Sequence, residues 1–289
     1  MTINKWMLSV CTGALFSVAA GPVFANQCSG LPGWGALRSA LENVVAAAGN
    51  GGLGFNMWGT IVANDGTVCS VAFSGSTYTS QWLGSRVISA QKANTANDFS
   101  LGAGATPASS LFGTKGLALS TANLFTAVQP GGSLYGLQHS NPVSTGVAYG
   151  NDDGNGNPVN PSAFGSPNDP MVGLRVGGVN VFGGGLGLYL GGNKVGGLGV
   201  SGDTSCTDHM VAWRVRNALK LDQLSGVAGV SGDATRPDNI VFDITPNPDG
   251  TGGTGQAPNG TGGVGQSAGG FGHPKCLNNP DPTTLPKVH

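Results

Sequence analysis

Residues 85–99, SRVISAQKANTANDF, and residues 194–219, KVGGLGVSGDTSCTDHMVAWRVRNAL, decide how this chain folds. In the first, Val87, Ala90, Ala93 and Ala96 follow Leu83 at steps of three and four, and Phe99 closes the stripe. That is the spacing of one apolar helix face. The second stretch reads as a strand over 195–200, a glycine turn and a helix over 210–221, with Val211, Val215 and Leu219 on one face. Asp208 stands at the expected helix start, where a carboxylate favours the orphan N–H groups and the helix dipole.

Working outward, Trp34, Leu37, Leu41, Val44 and Ala48 mark another helix, stopped by Gly49-Asn50-Gly51-Gly52. The β-rich runs 61–63 and 68–73 flank Asn64-Asp65-Gly66-Thr67, a strong hairpin signal. A short helix is expected over 120–128. Strands are expected at 179–182, 186–190 and 195–200, the last two joined by a turn at Asn193-Lys194, with a further edge strand at 240–244. Hairpins beside helices, without β-α-β alternation, predict an α+β fold: a central antiparallel β-sheet flanked by helices, with long Gly-rich insertions at about 100–118 and 150–170.

The ends have a different character. Lys5 precedes an apolar run over 6–20, and Val23-Phe24-Ala25 places small residues where signal peptidase needs them. The run falls short of the roughly 20 apolar residues of a membrane span. Residues 1–25 are therefore expected to be a cleaved signal peptide, leaving an exported, soluble chain without a membrane span. Residues 26–245 then form the folded domain, and 246–289 a low-complexity tail of Gly, Pro, Asn and Thr. With 13 Lys+Arg against 14 Asp+Glu and no basic stripe, nucleic acid is a poor partner. Glu42 is the sole glutamate, which argues against a paired-carboxylate glycosidase. The 52 glycines accompany 39% hydrophobic residues in periodic runs, so the chain reads as ordered. Export makes disulfides the expected state of Cys28, Cys69, Cys206 and Cys276. Four cysteines allow three pairings. Cys28–Cys69 with Cys206–Cys276 is the expected one, the second bond tying the tail to the core.

Four stretches, in order, resemble the haem-binding family typified by HbpS and GlcG, which includes the C-terminal domain of PduO-type proteins. They are the hairpin IVANDGTVCSVAFSG at 61–75, Lys92-Ala93-Asn94-Thr95-Ala96, Gly177-Gly178-Val179-Asn180-Val181, and VGGLGVSG at 195–202 followed by Asp208. The resemblance covers roughly 34–221. It implies a compact domain with a central antiparallel sheet, a homo-oligomer, and haem or another small planar ligand. Asn180 stands where the family has proline, and 100–170 is longer than its usual connection.

Haem iron takes an axial donor such as His, Met, Cys or Tyr. His139, in a loop beside Tyr135, is the candidate iron ligand, and its ordinary alternative is a solvent-facing loop residue. His209, beside Asp208, is a second candidate whose alternative is a capping role. Lys92 is a candidate propionate partner, against a solvated helical lysine. Gly197 and Gly199 offer either close approach to a flat ligand or close packing of helix on sheet. Ser89-Ala90-Gln91-Lys92 matches S-x-x-K, but no S-D-N or K-T-G accompanies it. Asp153, Asn155 and Asn157 have calcium-loop spacing without the closing glutamate. The leading expectation is an exported haem-binding protein acting in capture, storage or sensing. The alternatives are an enzyme or accessory protein acting on a small organic acid or aldehyde, and an oligomeric envelope module without a ligand.

Overall fold

The computed structural model describes residues 27–106, 113–130, 132–150, 159–246, 253–255 and 270–289. The expected signal peptide, the Asp153 spacing and most of 247–269 lie outside the described residues.

Strands β1 (Trp58–Ala63), β2 (Val68–Phe73), β3 (Gly185–Leu190) and β4 (Asn193–Ser201) form one sheet in the order β2-β1-β4-β3. Every neighbouring pair is antiparallel, as the α+β reading expects. The β1–β2 turn is built as its sequence dictates. Gly66 has φ +81°, its N–H donates to the Ala63 carbonyl at 2.9 Å, and the Asp65 carboxylate accepts the Thr67 N–H at 3.0 Å.

Helices cover both faces of the sheet. On one, Leu37 and Leu41 of α1 (Trp34–Ala46) and Val211 and Trp213 of α5 (Ser205–Ala218) bury Ile61, Leu198 and Val200. On the other lies α2 (Ser85–Asp98). Beneath it, β3 and β4 present glycines: Gly185 pairs with Gly199, and Gly187 with Gly197. A Cβ on Gly199 would overlap the Ser89 carbonyl, and one on Gly197 the Ala93 carbonyl. The alternation of leucine or valine with glycine thus sets one bulky face and one bare face, and the bare face lets the α2 backbone lie directly on the strands. Thr60 and Ser89, both fully buried, satisfy each other's hydroxyls at 2.7 Å across that contact.

The disulfides are Cys28–Cys69 and Cys206–Cys276, the pairing expected. Helix α3 (Thr121–Ala127) matches the short helix expected there. Helix α4 (Thr145–Tyr149) and a 3-10 turn at Pro161–Ala163 carry no periodic signal.

Several expectations are corrected. Residues 179–182 run extended but pair with no strand. The Asn180 N–H donates to Thr95 Oγ1 at 2.9 Å, and the Phe182 carbonyl accepts the Thr121 hydroxyl at 2.8 Å, so side chains of α2 and α3 take the place of a neighbour. Helix α5 starts at Ser205, before Asp208, because Thr204 caps it by accepting the Thr207 N–H. The strand expected at 240–244 is β5 (Phe242–Pro246), which leaves the central sheet and joins β6 (Gly253–Gly255) and β7 (His273–Pro274). The outer edge of β3 is already taken, since Tyr189 N–H donates to the Leu221 carbonyl at 2.8 Å. Residues 270–289 also pack on the domain: Leu285 is buried in the α1–α5 core, and the Trp213 indole N–H donates to the Pro286 carbonyl at 2.9 Å. Among the described residues, no helix is long and apolar enough to cross a membrane.

Candidate functional site

A cleft of about 320 Å³ opens beside the C-terminal half of α2. Its walls come from four separate pieces of chain. The β1–β2 turn supplies Asp65 and Gly66, α2 supplies Asn94 and Asp98, and the loop after His139 contributes Ser140 to Pro142. Arg175, Gly177 and Gly178 complete it. Gly177 and Gly178 have φ +66° and +79°, so this wall needs a conformation that side-chain-bearing residues rarely adopt. Bridges of Thr67 to Arg175 and of Val143 to Gly177 hold the walls together.

The polar groups of the cleft are ordered by hydrogen bonds. Asn94 Nδ2 donates to Asp98 Oδ2 at 2.8 Å and to the Gly178 carbonyl at 3.1 Å, linking the helix to the glycine wall. Arg175 pairs with the Asp65 carboxylate, and its Nε donates to the Asp65 carbonyl at 2.8 Å. The two carboxyls are tuned in opposite directions. Burial holds Asp98 above the usual carboxylate range, against the pull of Asn97, Lys194 and Asn94. For Asp65 burial is the largest single influence and acts upward, but the hydrogen bonds from Arg175 and Thr67 and the Arg175 charge together outweigh it and hold the carboxyl below that range. The cleft can therefore accept and donate hydrogen bonds around one fixed cation, with polar rather than apolar walls.

Among the residues singled out from sequence, His139 is next in the chain to this site but does not line it. It is exposed, its ring centroid is 6.4 Å from that of exposed Tyr135, and it directly precedes the cleft residue Ser140. Its ring has no hydrogen-bond partner among the described residues, whereas His209, His273 and His289 are all engaged.

The other four are inside the protein. Lys92 is fully buried, and its Nζ donates to Asp208 Oδ2 at 2.7 Å, the Val200 carbonyl at 3.2 Å and Ser201 Oγ at 3.3 Å. Its ammonium also sits 4.3 Å from the centroid of the Phe182 ring. All three donors are committed, so within this chain no propionate reaches it. Asp208 completes its own shell with the N–H groups of Gly202 and Asp203. Burial raises Asp208 to about 6, and the neighbouring ammonium restrains the rise. His209 is fully buried with Nε2 accepting the Ile240 N–H at 3.1 Å, and burial pulls it down to about 4. Gly197 and Gly199 face the α2 backbone, which fills the space a flat ligand would need.

The sequence carried a partial signal for the cleft. Asp65 and Gly66 belong to the hairpin turn, and Asn94 is the variable position of the Lys92–Ala96 motif. Arg175 and Asp98 carry no local pattern.

No family model matches the chain, and no curated protein matches it. Several solved structures are similar, among them these two. One is the Klebsiella pneumoniae protein ORFY, described as DUF336, at 20% identity and TM-score 0.39, covering 65% of this chain and 90% of that one. The other is a PduOC:haem complex, at 22% identity and TM-score 0.39, covering 64% of this chain and 89% of that one.

Proposed function

We propose that this is an exported binding protein for haem or a similarly flat small ligand, and that the cleft beside α2 is where the ligand is held. One observation carries the reading. Three of the four stretches that resemble the haem-binding family meet at this cleft: Asp65 and Gly66 from the hairpin, Asn94 from the Lys92–Ala96 motif, and Gly177 and Gly178. The fourth stretch supports them from behind by carrying α2. The signal peptide expected at 1–25 from sequence and the two disulfides support export.

The residues present fit haem in two respects. His139, next in the chain to the cleft residue Ser140, offers an exposed imidazole, and Arg175, which pairs with Asp65, offers a cation to a propionate in place of buried Lys92. When bound, haem supplies an iron that takes one axial donor from the protein. A cleft of about 320 Å³ is at the small end of ligand pockets.

Haemin titration of the oxidised protein, read by absorbance, tests this. A saturable, shifted Soret band at about one haem per chain is expected, altered in position by His139→Ala and weakened by Arg175→Ala. Non-saturating partition, or a band unchanged by both substitutions, overturns the reading. The polar lining favours one second reading, a small aldehyde as ligand. Displacement of bound haemin by a small aldehyde would favour it.

A further inference from the structure

Helix α5 begins against the C-terminal segment, and four reactive side chains meet there. Cys206 and Cys276 form the disulfide, and His273 Nδ1 lies 3.9 Å from Cys206 Sγ. One ligand atom from each of Cys206, Cys276 and His273 falls within 4.8 Å of the others. On the far side of the ring, Ser205 Oγ is 2.7 Å from His273 Nε2 and accepts the Gly183 N–H at 2.6 Å.

We propose that reduction of Cys206–Cys276 turns this cluster into a metal site for a thiophilic cation, zinc or cuprous copper, with Cys206, Cys276 and His273 as ligands. Two thiolates and an imidazole suit such ions, and three protein ligands leave one position open. The edges of a tetrahedral zinc site of this kind measure about 3.5–3.8 Å, given its metal–ligand distances. The His273–Cys206 separation, 3.9 Å, already approaches that, and the two bonded sulfurs must part. Cys276 is free to move because it is only partly buried, on a short segment, whereas Cys206 and His273 are held inside.

The chemistry balances. A dithiol reductant gives two electrons and two protons to the disulfide and becomes a disulfide itself, leaving two thiols. Metal binding then releases both thiol protons to solvent. The start of α5 favours the thiolates, since Cys206 lies in its first turn and the Cys206 N–H donates to Cys276 Sγ at 3.2 Å. In the oxidised form His273 Nδ1–H donates to the Pro274 carbonyl at 2.6 Å. On metal binding the ring proton moves to Nε2, where Ser205 Oγ accepts it. Such an outer partner is the usual support of a metal-bound imidazole. The metal thus replaces the covalent tie between α5 and the C-terminal segment, independently of the haem reading.

Cobalt(II) titration of the full chain tests the proposal, using Cys28→Ala/Cys69→Ala so that reduction frees one pair. After phosphine reduction and anaerobic desalting, one Co²⁺ per chain is expected, with a sulfur-to-cobalt charge-transfer band that Zn²⁺ displaces. The oxidised protein should show none. His273→Ala should weaken binding more than Ser205→Ala, which should cost about 10–100-fold. Failure of the reduced protein to develop the band, or equal affinity with His273→Ala, overturns the site. Should reduction unfold the chain, Co²⁺ must restore its circular dichroism, and failure to do so also overturns it.

Discussion

Lys92 and Asp208 are both fully buried and 2.7 Å apart, on elements separated by more than a hundred residues. Removing one partner of such a pair strands the other charge, which costs about 3–5 kcal/mol. Lys92→Met is expected to lose that much stability in urea unfolding. A loss below about 1 kcal/mol would mean that Asp208 is already neutral in the wild type. The motif Lys92–Ala96 is plain in the sequence, yet the role of its lysine is not, because the partner comes from another element. His273 was hidden differently: it sits in a stretch whose composition reads as a tail, while burial pulls it down to about 4. His139 is exposed in its loop beside Tyr135, a placement that local sequence does suggest.

At the scale of elements, helix and hairpin positions followed from periodicity and turn chemistry, since both are local. The strand expected at 179–182 failed because Thr95 and Thr121 satisfy its backbone, an arrangement that no local pattern records. The glycine face of β3 and β4 was readable as close packing or ligand approach, and the α2 backbone lying on it decides the matter. Gly199→Ala would drive a methyl into the Ser89 carbonyl, so α2 must lift from the sheet. Overpacking of this kind commonly costs about 1–3 kcal/mol, and with backbone on both sides the loss should reach or exceed the upper figure. Gly35→Ala, in α1 with open space around it, should instead be neutral or stabilising by up to about 1 kcal/mol. Thermal melts of the two variants check this, and equal melting temperatures would contradict the packing.

For the whole molecule, buried titratable groups set the acid limit. His209 and His273 are pulled to about 4 by burial, so between pH 6 and 4 the unfolded chain binds two protons that the native state refuses. Asp208, raised to about 6, works the other way and gives back one. For these three groups the net is one extra proton on the unfolded chain, and Asp98, also raised by burial, offsets part of it, so stability should fall as pH drops through this window by at most about 1.4 kcal/mol per pH unit. Urea titrations at pH 6, 5 and 4 check it. A flat or rising stability would show that the histidines are charged in the native state. The composition changes near 245, but the packing of Leu285 beneath α5 was not legible in it. A lone leucine among prolines and threonines has no periodicity to read.

The central claim is that the cleft beside α2 holds the ligand, and amide NMR of the ¹⁵N-labelled protein with substoichiometric haemin addresses it directly, because ferric haem broadens nearby signals. Broadening confined to the β1–β2 turn, Asn94 to Asp98, 139–142 and 175–178 is the predicted result. Broadening centred elsewhere, for example on the exposed Phe55–Trp82 pair, with the cleft signals untouched, would contradict it.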